Sequence, residues 1–202
     1  MTAGRAAAGG RANMPRAMRR PLVLLAALLA GLTLIACGKA DEPATEGETE
    51  AVYLELGGLQ YQVQISRQLN PYDVTDRYFV RGLPPDEDTP LGAEDTWFGV
   101  FIRVFNDGDE PREATSSFEV HDTQGNVYRP IPLDESNVFR YEPTELGESQ
   151  MIPTPGSVAF NSPSRGALLL FRVKIESFEN RPLTLVISQT GVEGHAEVPL
   201  DV

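Results

Sequence analysis

WFGVFIRVF, residues 97 to 105, is apolar on both of its alternating faces. Phe98, Val100, Ile102 and Val104 make one face, while Trp97, Phe101 and Phe105 populate the other beside Gly99 and Arg103. A strand with one wet side alternates apolar with polar residues, so a run that is largely apolar on both sides predicts a central strand. Asn106-Asp107-Gly108-Asp109 follows as turn chemistry, and Ser117 to Asp122 resumes with Phe118 and Val120 inward. Thr123-Gln124-Gly125-Asn126 then closes a second hairpin into Val127-Tyr128.

The same pattern extends in both directions. In Leu59 to Ser66 the residues Leu59, Tyr61, Val63 and Ile65 alternate with Gln60, Gln62, Gln64 and Ser66, which predicts a strand with all four apolar residues on its inner face. Ala167 to Ile175, Leu183 to Ile187 and Ala196 to Val202 alternate likewise, and no stretch of this part of the chain has a helical period. Seven or eight such strands, with turn signals between them and prolines at their margins, predict an all-β, antiparallel sandwich over residues 52–202. An eight-stranded barrel is the alternative closure. Between the first strands and Trp97 lies Asn70 to Thr96, 27 residues with at most one short strand, at Arg77 to Val80.

Charge divides the chain at Cys37. Five of its 17 basic residues (Arg5, Arg11, Arg16, Arg19 and Arg20) precede that position and no acid does, so from Cys37 onward 12 basic residues face 29 acidic ones, a formal −17. A domain of that sign is repelled by phosphates and is not expected to bind nucleic acid. Cys37 is also the only cysteine, so the folded part has no thiol for a disulfide, a thiolate nucleophile or a cysteine metal site.

Ahead of Cys37, Arg19-Arg20 introduces the run Pro21 to Ala36, sixteen residues that are apolar apart from Thr33. That is close to a secretory h-region of about 7 to 15 residues and short of the roughly 20 that cross a bilayer, so residues 1–36 read as a helical signal peptide; an uncleaved single-pass anchor is the alternative. Met18, or Met14, would suffice as its start. The run ends Leu34-Ile35-Ala36-Cys37-Gly38, which resembles the bacterial lipobox. The resemblance implies a diacylglyceryl group on the Cys37 sulfur, cleavage before it, and a chain held by lipid on the extracytoplasmic face of the cell membrane. Gly38 to Glu50 (GKADEPATEGETE) has five acids among thirteen residues and no large apolar side chain, so residues 37–51 are expected to form a disordered, charge-extended tether.

FGVFIRVFNDGDEP (residues 98–111), FEVHDTQGNVY (118–128) and GALLLFRVK (166–174) together resemble the extracellular immunoglobulin-like domain common in lipoproteins of Gram-positive bacteria. The shared pattern is a hydrophobic strand, Asn-x-Gly-x-x-Pro, a Phe-x-Val-x-Asp strand, a Gly turn and Tyr. It spans roughly residues 52–202, with the long insertion before Trp97 as a departure. The resemblance implies the sandwich; most members have no assigned activity.

Chemistry-bearing residues are sparse. Tyr72, Tyr78 and Phe79 in the long insertion are the candidates for a partner-binding surface, since connections of this length are often functional. Loop aromatics more often bury themselves, and the competing expectation is that they cap an open end of the sandwich. Asp86, Glu87, Asp88, Glu94 and Asp95, and again Asn106, Asp107, Asp109 and Glu110, offer oxygen ligands without the spacing of a calcium loop, so no metal is expected. The only histidines are His121, expected to face solvent, and His195, in a Gly-flanked turn. They supply neither a zinc motif nor the base of a nucleophile pair, and no cofactor is expected. The proline-rich segment Pro130 to Pro163 is read as a flap burying Phe139, Tyr141, Met151 and Ile152, or else as a partner surface. The expected function is a monomeric, lipid-anchored binding module of the envelope without catalysis, its partner an envelope protein or a cell-wall component. A carboxylate-dependent envelope hydrolase and a passive structural lipoprotein are the alternatives.

Overall fold

The computed structural model describes residues 45–47 and 49–202. Residues 1–36, read as a signal peptide ending in a lipobox at Leu34-Ile35-Ala36, and Cys37 lie outside the described residues. Two antiparallel sheets face each other as a β-sandwich. In the first, β1 (Leu54–Leu56) pairs with β2 (Leu59–Leu69) and β2 with the central β3 (Asp95–Phe105). The far side of β3 is shared, with β9 (Ala167–Lys174) along Asp95 to Ile102 and β8 (Met151–Ile152) along Val104 and Phe105. The second sheet runs β11 (Ala196–Leu200), β10 (Leu183–Ser188), β5 (Ser117–His121), β6 (Val127–Tyr128). A separate ribbon joins β4 (Arg112–Glu113) to β7 (Glu145–Leu146), and a single helical turn, α1 (Val158–Asn161), precedes β9. The sheets stay distinct, so the architecture is the sandwich and not the barrel.

The core between the sheets is built from the residues that alternation assigns to it. Phe98, Val100, Ile102 and Val104 of β3 meet Phe118, Val120, Leu185 and Ile187 of the opposing sheet, all buried. The other face of β3 is covered too. Trp97 and Phe101, with Leu69, Leu168 and Leu170 from the flanking strands, lie beneath Phe79 and Ile131. The cover has two pieces, from the 70–94 insertion and from residues 130–139, stitched by the Asn137 amide, which donates to the carbonyls of Phe79 (3.0 Å) and Arg81 (2.9 Å). This is why residues 97–105 are apolar on both sides.

Strict alternation in β2 fails at one point. The ladder pairs Val63 with Ile102 but Ile65 with Phe101, so Gln64 is an extra residue in a bulge and every later side chain changes face. Ile65, expected inside, is 37% exposed on the outer face, and Ser66 turns into the core. Beyond the bulge, Arg67 and Leu69 join the layer under Phe79.

Arg77 to Val80 is not a strand. Asp73 accepts hydrogen bonds from the amides of Thr75 and Asp76, a side-chain capture that tightens the chain into the 3-10 turn Asp76–Tyr78. Asp76 then receives the guanidinium of Arg67 and the amide of Asn70, fixing the turn to the end of β2. Of the residues assigned by composition to the tether, 45–47 run beside β11 and Ala51 donates to the Val63 carbonyl of β2 at 2.9 Å. Gly47 donates to the Glu197 carbonyl at 2.9 Å and Glu197 to that of Thr45 at 2.8 Å, while the Glu50 carboxylate receives the amides of Ser66 and Asp201. Unpaired main-chain groups on the edge of β11 offset the cost of ordering this polar segment.

Candidate functional site

A cleft of about 640 Å³ opens on the side of the sandwich where β5 and β9 approach each other. Its origin is one proline. The β5–β6 ladder pairs His121 with Val127 and Val120 with Tyr128, and continuing that register sets Glu119 against Arg129 and Phe118 against Pro130. Proline has no N–H to give, so the ladder stops there. The chain crosses instead to the other sheet, where Ile131 donates to the Leu170 carbonyl at 2.7 Å. The return segment seals the same edge of β9, with Leu168 donating to the carbonyl of Phe139 and Tyr141 to that of Leu168.

One consequence concerns the main chain of β5. Asp122 donates to Asn126 across the hairpin, whereas Thr123 donates to Asn180 on the β10 side. Even-numbered residues of β5 therefore direct their N–H and C=O toward β6. Val120 is satisfied there, whereas Phe118, only 2% exposed, has no main-chain partner on that edge among the described residues.

The floor of the cleft is formed by Phe118, Ile131, Leu168 and Leu169, all buried in the two cores, and Tyr141 stands at its edge with its hydroxyl donated to the Thr115 carbonyl at 2.8 Å. Burial pushes the Tyr141 phenol well above its ordinary pKa, so it stays neutral. The mouth carries charges of both signs, each already paired: Arg129 with Glu119 at 2.6 Å and Arg140 with Glu142 at 2.7 Å. Glu119 also meets His121 at 2.8 Å, and the hydrogen bonds from His121 and Arg129 hold its carboxyl below the usual carboxylate range.

The three aromatics singled out in the insertion separate. Phe79 is only 4% exposed, edge-on to Phe101 and Phe139 with ring centroids 5.0 and 4.7 Å away, so it holds the cover down and cannot form part of a binding surface. Tyr72 is 93% exposed, and Tyr78, at 40%, lies between the guanidiniums of Arg77 and Arg81. These two remain on the surface, at the end of β2, away from the cleft lining.

The acidic stretches do not converge. Glu87 is taken by Arg172 and Asp95 by Lys174, Asp107 accepts from Gln60, and Glu110 pairs with Arg112. Asn106 is buried, its amide donating to the carbonyls of Glu110 and Leu146. Among the described residues no three His, Cys, Asp or Glu side chains gather into a group able to hold a metal. Of the proline-rich segment, Ile152 is buried and Phe139, Tyr141 and Met151 are half-buried, so it packs and lines the cleft at once. The cleft escapes sequence reading because it depends on register, although a proline two residues after a short strand, in Tyr128-Arg129-Pro130, is its local signal.

An antiparallel β-sandwich is thus the class that the fold defines. No family model matches the chain, and no curated protein matches it in sequence. Solved structures resemble it at low similarity. One is the yjhA protein of Bacillus subtilis, 11% identical over 77% of this chain and all of that one, with a TM-score of 0.44. Another is ycdA of the same organism, designated a candidate lipoprotein, 12% identical over 79% of this chain and 39% of that one, at 0.43. A third is an uncharacterized β-sandwich protein of Clostridium difficile, 11% identical over 81% of this chain and 99% of that one, at 0.42.

Proposed function

We propose that the chain is a lipid-anchored protein on the extracytoplasmic face of a cell membrane, an immunoglobulin-like sandwich that serves as a binding module of the envelope and holds its partner in the β5–β9 cleft. The anchor rests on Leu34-Ile35-Ala36-Cys37 at the end of an h-region led by Arg19-Arg20. Binding rests on the state of the cleft: a preformed opening in the size range of ligand sites, about 300 to 1,000 Å³, with charged side chains at its rim. Acid–base hydrolysis needs a carboxyl held protonated near neutral pH. Glu119 is biased the opposite way by His121 and Arg129.

Two measurements test the proposal. Labelled palmitate incorporated by the parent chain, and lost in Cys37→Ala, supports the anchor; equal labelling of both overturns it. For the cleft, a photo-crosslinking residue at Pro132, exposed at its mouth, captures an envelope component. A partner captured from Tyr72 and not from Pro132 moves the site to the exposed insertion.

A further inference from the structure

We infer that Arg77, Tyr78 and Arg81 form a binding site for a carboxylate of a partner protein, beside an apolar contact supplied by Tyr72 and Val74. The site goes beyond the cleft, with which it shares no lining residue. Arg67, Arg112, Arg129, Arg140, Arg172 and Lys174 each lie against a carboxylate. Among the described residues Arg77 and Arg81 do not. Both are exposed, and both guanidiniums face one ring, 5.3 and 4.3 Å from the Tyr78 centroid. The two like charges are therefore no more than about 10 Å apart, roughly one Debye length at 0.1 M salt. From Cys37 onward the chain has 29 acids against 12 bases, yet none of those acids is brought to this pair among the described residues, which leaves both forks open to an outside anion. Guanidiniums meet a carboxylate with charge-assisted, bidentate hydrogen bonds. Their field already acts on the oxygen nearest them: Arg77, by hydrogen bonding and charge, and Arg81, by charge, hold the Tyr78 phenol below its ordinary pKa.

The turn that carries the site is fixed before a partner arrives. The Asp73 carboxylate accepts the amides of Thr75 and Asp76, its carbonyl accepts that of Arg77 at 3.2 Å, and Asp76 is tied to Arg67. Phe79, next in the chain after Tyr78, is packed into the cover. Binding therefore orders little that is not ordered already. Tyr72 and Val74, 93% and 67% exposed, add apolar surface from the residues just before the turn. Tyrosine and arginine displayed together are the composition of protein–protein contacts. The acidity of the remaining chain decides between anions. A polyanion or an anionic membrane extends well beyond a Debye length and meets that acidity, whereas one carboxylate beside an apolar side chain meets the two arginines alone.

The test uses the full chain in detergent micelles, with the NMR signals of the Tyr78 ring as reporter. Four probes are titrated: end-blocked Leu-Glu-Phe-Glu, its Leu-Gln-Phe-Gln analogue, inorganic polyphosphate and a short-chain phosphatidylglycerol. The glutamate peptide is expected to shift the Tyr78 signals, and the glutamine analogue to bind roughly tenfold more weakly. Arg77→Gln combined with Arg81→Gln is expected to weaken the glutamate peptide to a similar degree, while Arg165→Gln, at an exposed arginine elsewhere, leaves it unchanged. Equal binding of the two peptides, binding of neither, or undiminished affinity in the double variant overturns the inference. Tighter binding of polyphosphate or of the lipid at the same arginines overturns a protein as the occupant. Capture from Pro132 is expected to be the same in the double variant and the parent, so failure at the arginines and failure of the cleft are read separately.

Discussion

Tyr61 and Tyr141 reach the same residue from two directions: the Tyr61 oxygen accepts the amide of Thr115 at 3.1 Å, and the Tyr141 hydroxyl donates to its carbonyl at 2.8 Å. Thr115 leads into β5, and Phe118 lies edge-on to both rings. The two phenols therefore set where β5 begins and, with it, one wall of the cleft. Tyr61→Phe strands a buried N–H and is expected to cost about 1 to 3 kcal/mol in denaturant unfolding. A loss below a few tenths would show that water takes the place of the phenol.

Asp122 predicts an acid transition. Burial works against its charge, but the side chain of Asn126, Ser177 and the amides of Gln124 and Asn126 bond to the carboxylate and hold its pKa at about 2, below the ordinary 3.8. A folded-state pKa below the unfolded value means stability that is complete above pH ~4 and lost as pH falls from about 4 to about 2, worth about 2 kcal/mol. Asp122→Asn should be less stable than the parent at pH 7 and converge with it near pH 2. Parallel stability curves across that window would contradict the assignment.

Phe79 and Tyr72 make a matched pair of probes for the insertion. Phe79→Ala removes a ring packed between Phe101 and Phe139 and should cost about 3 to 5 kcal/mol. Tyr72→Ala should stay within about 0.5 kcal/mol, since its side chain is in solvent. Similar melting temperatures for both variants would mean that the cover is not packed as described.

Gly166 is a site of close approach. A Cβ there would stand 2.8 Å from the main chain of Phe101 and Ile102, in the middle of the central strand. Backbone on both sides of the β3–β9 ladder cannot yield without breaking it, so Gly166→Ala should be among the most destabilising single-methyl additions in the protein. Its measure is the shift in urea midpoint against Gly147→Ala, where a Cβ would meet only the Gln150 side chain, at an ordinary 3.5 Å.

The strands were legible in the sequence because alternation is a local property. Trp97 to Phe105 even disclosed its second buried face, although not what would cover it. Ile65 was not legible: one extra residue, Gln64, inverts the faces that follow, and nothing in the local pattern distinguishes a bulge from a continuing strand. Phe79 stands out in the sequence as an aromatic, but whether it caps the sandwich or meets a partner was not legible, because the site it fills is assembled from Phe101 and Phe139, 22 and 60 residues away. The cleft depended on a register that composition does not carry. Prolines 130 and 132 were visible; that the β5–β6 ladder ends at Tyr128, short of the first, was not.

The cover over Trp97 and Phe101 also orders events in time. Its seat is the surface that β2, β3 and β9 make jointly, and β9 joins β3 only by closing a loop of about 70 residues. The Asn137 stitch to Phe79 spans a further 58 positions along the chain. Neither piece of the cover has a surface to settle on until the sheet exists, so the insertion and the 130–139 segment condense last. Loop closures of that length predict slow folding for a chain of this size, with hydrogen-exchange protection around Phe79 and Asn137 developing after that of β2, β3 and β9.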